Sequence, residues 1–398
     1  MTGHRSERAV SIVFSLIVVS TSLAFAQTRV SYAINPDIPR IEAGAERGEI
    51  QKEIALGAVY LAGRGVSRDE KQAAYWYEKA ANSGDPGAQE QTGYFYEAGI
   101  GVERDPARAA LWFERAVAGG LVSAKVNLGV AYAWGLGVRK DPAFAVQLFR
   151  EAAKKGSGMG ACYLGDMYHF GIGVTKSESE AIHWFELGSK LHNALSKYDL
   201  ALILANKPEQ VSHHRAIRLL REAAAAGSVA AKHELGLQII RKSEFSRSPN
   251  EAIRALEEAA SDGFWKSSVV LGVLSRDGNG VAKDSRTAYY HFRIAALQGQ
   301  DEAATLLAND LRALSSELGQ AQVQEIDQKA NAWLQEHSRT LDYVNLHNEY
   351  ANTFPAFALE HPQSDIHALL LLGAPDPDSV PAAHDSVSPN GLKKNGRK

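Results

Sequence analysis

A glycine that returns every 36 residues limits what this chain can fold into. Gly57, Gly93, Gly129 and Gly165 sit in one form, Leu-Gly-x-x-Tyr-x-x-Gly-x-Gly-Val-x-x-Asp. The form runs from Leu128 to Asp141, again at Leu56 to Asp69 and Leu164 to Ser177, and in part at Thr92 to Asp105. A constant step of this size marks a repeat architecture, in which each copy is one supersecondary unit stacked on the next.

Each copy reads as two helices. In the first copy, Ile54, Leu56, Tyr60 and Leu61 recur at helical spacing over roughly 51 to 62. Gly63-x-Gly65 then stops the helix, because glycine adopts the left-handed conformation that helix ends favour. Asp69, Asp105, Asp141, Ser177, Ser212, Ser248 and Asp284 follow as caps for a second helix, each contributing about 1 kcal/mol. Pro106, Pro142 and Pro249 come directly after a cap, in the first turn, where proline is tolerated. The second helix carries an alanine series from Ala73 to Ala288, and three residues on stand Trp76, Trp112, Leu148, Trp184, Leu219, Ala255 and His291.

The glycine inside the first helix costs about 1 kcal/mol relative to alanine. Its series continues as Ala201, Gly236, Gly272 and Ala308, so only the two smallest residues occur there. Close approach of a neighbouring helix explains that restriction. Tyr60, Tyr96, Tyr132 and Tyr168, together with the tryptophans, are expected to fill the core beside it.

These features predict an all-α chain of seven hairpins over about 49 to 299, with an eighth first helix from Asp301 to Leu314, giving a solenoid over 49–314. Residues 320–338 carry Val323, Ile326, Ala330, Trp333 and Leu334 at helical spacing and are expected to cap the open end. Residues 339–373 are expected to dock on the last repeats, and the Pro-, Asp-, Ser- and Ala-rich 374–398 to be disordered. Asn35-Pro36 and Ile38-Pro39 predict an extended lead-in over 27–48.

Residues 1–26 read as an export signal: His4, Arg5 and Arg8, an apolar run from Val10 to Val19, then Ala24-Phe25-Ala26. The alternative is an uncleaved membrane anchor, for which the stretch is short and interrupted by serine. The expected location is the periplasm or outside the cell. Net charge is -3, with no arginine-rich stripe, so nucleic acid is not an expected partner. Cys162 is the only cysteine, which excludes an internal disulfide and predicts a small buried hydrophobe.

No catalytic constellation stands out. His233-Glu234 begins like a zinc-protease helix, but Leu237 replaces the second histidine. The Gly-x-Gly pairs lack the strand and third glycine of a phosphate cradle, and Asp277-Gly278-Asn279-Gly280 lacks a full calcium-ligand set. His213-His214 reads as a solvated pair. No metal or cofactor is therefore expected. The repeats differ most just before the helix-ending glycine, at Ala62, Ala98, Trp134, Phe170 and Asn206. Trp134 and Phe170, on helices about 10 Å apart, are expected to form an aromatic partner-binding strip on the inner surface, with Tyr94, Phe95 and His169 nearby.

The pattern resembles the Sel1-like repeat, a relative of the tetratricopeptide repeat. Ala124 to Tyr132, Gly135 to Asp141 and Ala152-Ala153 match it, whereas Leu148 departs from it at a tryptophan position. The resemblance implies a right-handed α-solenoid acting as a non-enzymatic adaptor for a protein or peptide partner in the envelope. Other family roles it implies are inhibition of a membrane sensor kinase, polysaccharide export, and β-lactam or cell-wall activity. Members with that last activity carry a disulfide in every repeat, which this chain cannot form.

Overall fold

The structure, a computed structural model, describes residues 37–241 and 249–351. Among these are seventeen helices and no strand. Repeat one is Ile50–Ala62 with Glu70–Asn82, repeat two Pro86–Ala98 with Pro106–Ala118, and repeat three Val122–Trp134 with Pro142–Lys154. Repeat four is Gly158–Phe170 with Glu178–Lys190, and repeat five Ala194–Ala205 with Gln210–Ala225. Val229–Arg241 with Pro249–Ser261 make repeat six, and Trp265–Asp277 with Ser285–Gln298 repeat seven. Each helix packs on the one before and the one after, as a solenoid requires.

Local chemistry sets the hairpin. Gly63, Gly99, Gly135, Gly171 and Gly278 end first helices in the left-handed conformation. The cap residue then folds back, so that Asp105 N–H donates to the Tyr96 carbonyl and Asp141 N–H to that of Tyr132. Its side chain starts the second helix: Asp69 accepts from Gln72 N, Asp141 from Phe144 N, and Ser177 from Glu180 N. The second glycine of the turn has a stricter reason. A Cβ on Gly137 would lie 2.1 Å from the Pro106 carbonyl carbon and oxygen, with φ at +68°. The turns at Gly101, Gly137 and Gly173 therefore rest on the start of the previous repeat's second helix, and a side chain there is excluded by backbone.

The helix glycine sits in close approach, as the sequence suggests, but against a different series. A Cβ on Gly129 would lie 2.6 Å from Phe149, one on Gly165 2.5 Å from Phe185, and one on Gly272 2.4 Å from Phe292. These aromatics directly follow the tryptophan position. The tryptophans divide: Trp112 is buried, whereas Trp76 and Trp184 are half-buried. The outward offset of one residue rotates a helical side chain by about 100°, which moves it from the intra-hairpin seam toward solvent. The tyrosines pack with the core as expected, Tyr96 buried and Tyr60, Tyr132 and Tyr168 half-buried against it, and three of their hydroxyls also join repeats. Tyr96 Oη donates to Glu78, Tyr132 Oη to Glu114, and Tyr168 Oη accepts from Arg150, each on the preceding second helix.

Several boundaries differ from the sequence expectation. The lead-in forms a helix, Ile38–Glu46, capped by Asp37 on Arg40 N. Pro39 falls in its first turn, where the missing N–H has no helical acceptor. Ser212 is not a cap, because the second helix of repeat five starts earlier, at Gln210. The eighth first helix is Gln300–Leu318, and the capping helix continues to Ala351, so it extends past the expected end at 338 and takes in 339–351. Ile326 and Ala330 are buried as expected, and Arg293 pairs with Asp327 across the joint. Ser248, the segments 1–26 and 27–36, residues 352–373 and the tail 374–398 lie outside the described residues. No described helix is long and apolar enough to cross a membrane.

Candidate functional site

First helices of successive repeats pack on each other, as Gly158–Phe170 does on Ala194–Ala205 and that helix on Val229–Arg241. Second helices of repeats one to seven do not pack on each other to that extent, although the capping helix Gln320–Ala351 packs more closely still on Ser285–Gln298. Over repeats four to six the first helices therefore line the shorter, inner face of the stack.

Three register positions meet at each of three successive joints, between repeats two and five. The residues three before and one after the helix glycine are four apart, so they share one side of the helix. The residue two before the glycine of the next repeat reaches both. Between repeats two and three these are Glu90, Tyr94 and Asn127. Asn127 Nδ2 donates to Glu90 Oε1 and to Tyr94 Oη, both at 2.8 Å. Between repeats three and four they are Val126, Val130 and Tyr163, within one apolar cluster, where Tyr163 stacks on Phe149 at 5.1 Å. Between repeats four and five they are Cys162, Asp166 and Asp199. Their ligand-type atoms lie within 4.8 Å of one another, and Cys162 Sγ is 3.5 Å from Asp199 Oδ2. The same frame thus carries a hydrogen-bonded, an apolar and an acidic contact in turn.

Burial sets the electrostatics of this face. Desolvation raises Glu90 to about 7 against hydrogen bonds from Ser123 and Asn127 that lower it. It raises Glu97 to about 7 as well, against the charge of Arg104. Desolvation pushes the Asp166 and Asp199 carboxyls up together, Asp166 further through repulsion by Asp199. The Cys162 thiol rises for the same reasons, which makes it a poor nucleophile. His233 is lowered to about 3 by burial, so it is neutral at physiological pH, and its Nδ1 shares a 2.8 Å hydrogen bond with Ser267 Oγ.

The expected aromatic strip is reduced. Tyr94 and Phe95 are buried, and this corrects their assignment to a binding surface. Tyr94 packs edge-on against Phe113 and Phe95 against Tyr77, each at 5.4 Å. Both sit mid-helix, where the neighbouring second helix covers them. Trp134, His169 and Phe170 are half-buried at the ends of their helices. Lys140 Nζ stands 5.7 Å from the Trp134 ring, and Phe170 packs edge-on to His169 at 4.6 Å. Sequence reasoning missed the exposed apolar residues on second helices, Tyr75 at 56% and Leu111 at 57%, which occupy one register a repeat apart. It also treated Cys162 as a plain hydrophobe. It is buried, but beside two carboxylates, Asp166 four residues on in its own helix and Asp199 in the next first helix.

The comparisons agree with this architecture. The family model described as Sel1 repeat matches residues 53–85, 86–121, 122–157, 158–193, 198–228 and 269–300, about half of the chain. A Sel1 repeat protein from Oxalobacter formigenes is 27% identical, with a TM-score of 0.56 over 68% of this chain and 80% of that chain. A protective antigen of uropathogenic Escherichia coli with an SLR fold is 22% identical over 78% of this chain and 81% of that one, with a TM-score of 0.35. No curated protein matches the chain. Matched repeats, the glycine-to-aromatic seam and the helical stack together establish that the chain belongs to the Sel1-repeat family.

Proposed function

We propose that this protein is a non-enzymatic adaptor of the bacterial envelope that holds a segment of a protein partner against the inner face of its solenoid. Sel1-repeat proteins generally mediate protein–protein interaction. The observation that carries the reading here is the half-exposed pair Trp134 and Phe170, at one register of successive repeats, on a fixed hairpin frame whose joints, from Glu90–Asn127 to Val126–Tyr163 to Cys162–Asp199, are packed between repeats. A stack of this kind offers a preformed surface, which limits the reorganisation that binding requires. Trp134 and Phe170, half-buried at one register in successive repeats, supply the apolar anchors. The basic and apolar start of the chain, through Ala24-Phe25-Ala26, supports export.

The test is crosslinking in intact cells of the source bacterium, followed by mass spectrometry. Recovery of one envelope protein, lost in the Trp134→Ala/Phe170→Ala variant with helix content unchanged, is the expected result. Equal recovery with the double variant rejects this surface. Capture of a membrane sensor kinase would make the adaptor a regulator. Hydrolysis of peptidoglycan or a β-lactam by the purified protein would overturn the non-enzymatic reading.

A further inference from the structure

We infer that Cys162, Asp166, Asp199 and Ser196 form a binding site for a single zinc-class divalent ion at the joint of repeats four and five. Cys162 and Asp166 are four residues apart on Gly158–Phe170, and Ser196 and Asp199 three apart on Ala194–Ala205. Each pair shares a helix face. Helical proteins build metal sites from such pairs on facing helices. The thiol and both carboxylates converge within 4.8 Å. A tetrahedral zinc ion, with bonds of about 2.0–2.3 Å, needs ligand separations of about 3.3–3.8 Å. The sulfur and the nearer Asp199 oxygen, at 3.5 Å, already satisfy that.

A second observation separates this cluster from an ordinary group of acids. Ser196 is fully buried, and its Oγ makes no hydrogen bond of good geometry, though it lies close enough to Cys162 to draw the thiol's pKa down against the desolvation that raises it. Ser196 bears the same register relation to Cys162 as Ser267 does to His233, where Ser267 Oγ bonds the ring nitrogen. The hydroxyl thus lies beside the sulfur, packed over Gly188. A buried hydroxyl without a partner costs about 1–3 kcal/mol, which a bound ion or its water would offset. No lysine or arginine among the described residues neutralises the two carboxyls, unlike Glu53, which pairs with Lys79 at 3.0 Å.

The donor set selects the ion. One thiolate with two carboxylates suits zinc or cobalt, whereas calcium and magnesium take all-oxygen shells. Three anionic ligands around a divalent cation leave a net charge of about -1, in place of three buried acids. Asp199 is half-buried, so the ion enters from the inner face.

The experiment uses the full chain stripped with chelator and then titrated with cobalt and with zinc. The expected result is one cobalt per chain with a thiolate-to-cobalt charge-transfer band, displaced by zinc, and zinc protection of Cys162 from a thiol reagent. Asp199→Asn should weaken cobalt binding at least tenfold, and Cys162→Ser should abolish the band while circular dichroism stays helical. His213→Ala, outside the cluster, should change nothing. Zinc should raise Tm in the parent but not in Asp199→Asn. Absence of the band at stoichiometric cobalt in the folded parent, its survival in Cys162→Ser, or a Tm indifferent to zinc would each overturn the site. None of these readouts depends on a protein partner, so the adaptor reading stands or falls separately.

Discussion

Gly129→Ala tests the seam that holds every hairpin closed. The added Cβ would stand 2.6, 2.9 and 3.1 Å from three carbons of the Phe149 ring. Ordinary carbon contact begins near about 3.5 Å, so the ring must withdraw by about 1 Å. Phe149 is 1% exposed and stacked on Tyr163 of the next repeat, so it has nowhere to go without moving that neighbour. Overpacking of this kind costs about 1–3 kcal/mol. The better helix propensity of alanine returns up to about 1 kcal/mol; because the ring is pinned, the overpacking cost falls in the upper half of that range, about 2–3 kcal/mol, leaving a net loss of about 1–2 kcal/mol. The chain already contains the relieved combination: in repeat five Ala201 takes the glycine position, and Leu220 takes the aromatic position in the same core cluster. Phe149→Leu should therefore rescue Gly129→Ala, with a coupling of about 1 kcal/mol or more in a double-mutant cycle. Urea unfolding followed by circular dichroism measures it. A neutral or stabilising Gly129→Ala, or additive single and double variants, would refute the argument that ring contact selects the glycine.

Two further outcomes follow from the same geometry. Gly137→Ala should cost more than Gly129→Ala, about 3 kcal/mol or above, because it combines a left-handed φ with a backbone clash at 2.1 Å that no rotamer relieves; a smaller fall in Tm than for Gly129→Ala would contradict this. Glu90 is shifted from its ordinary 4.5 up to about 7 by burial. A raised acid pKa makes the folded state hold a proton that the unfolded chain has lost, so this contribution is complete below 4.5, declines as pH rises, and is gone above about 7. At about 1.4 kcal/mol per unit it amounts to at most about 3 kcal/mol. Glu90→Gln should flatten the stability profile across that window, and an unchanged slope in denaturant titrations at pH 4.5, 6 and 8 would exclude the carboxyl as its source.

The period, the hairpin and the caps were legible in the sequence because each is a local matter. A cap side chain bonds an amide two or three residues on, as Asp105 does with Ala107 and Arg108, and a turn glycine answers to its own φ. The restricted size at 57, 93, 129 and 165 likewise announced a close neighbour. Which neighbour it was, the structure alone decided: the aromatic at 149 rather than the residue before it. A repeat length fixes the step between copies but not the angle at which one helix leans on the next. That angle follows from packing the whole seam, and it determines which side chains of different repeats meet. Asn127 bonds partners 33 and 37 residues away, and Cys162 meets Asp199 across 37. No window of local sequence carries such distances, and the burial of Tyr94 and Phe95, the exposure of Tyr75 and Leu111, and the acid–thiol cluster all depend on them.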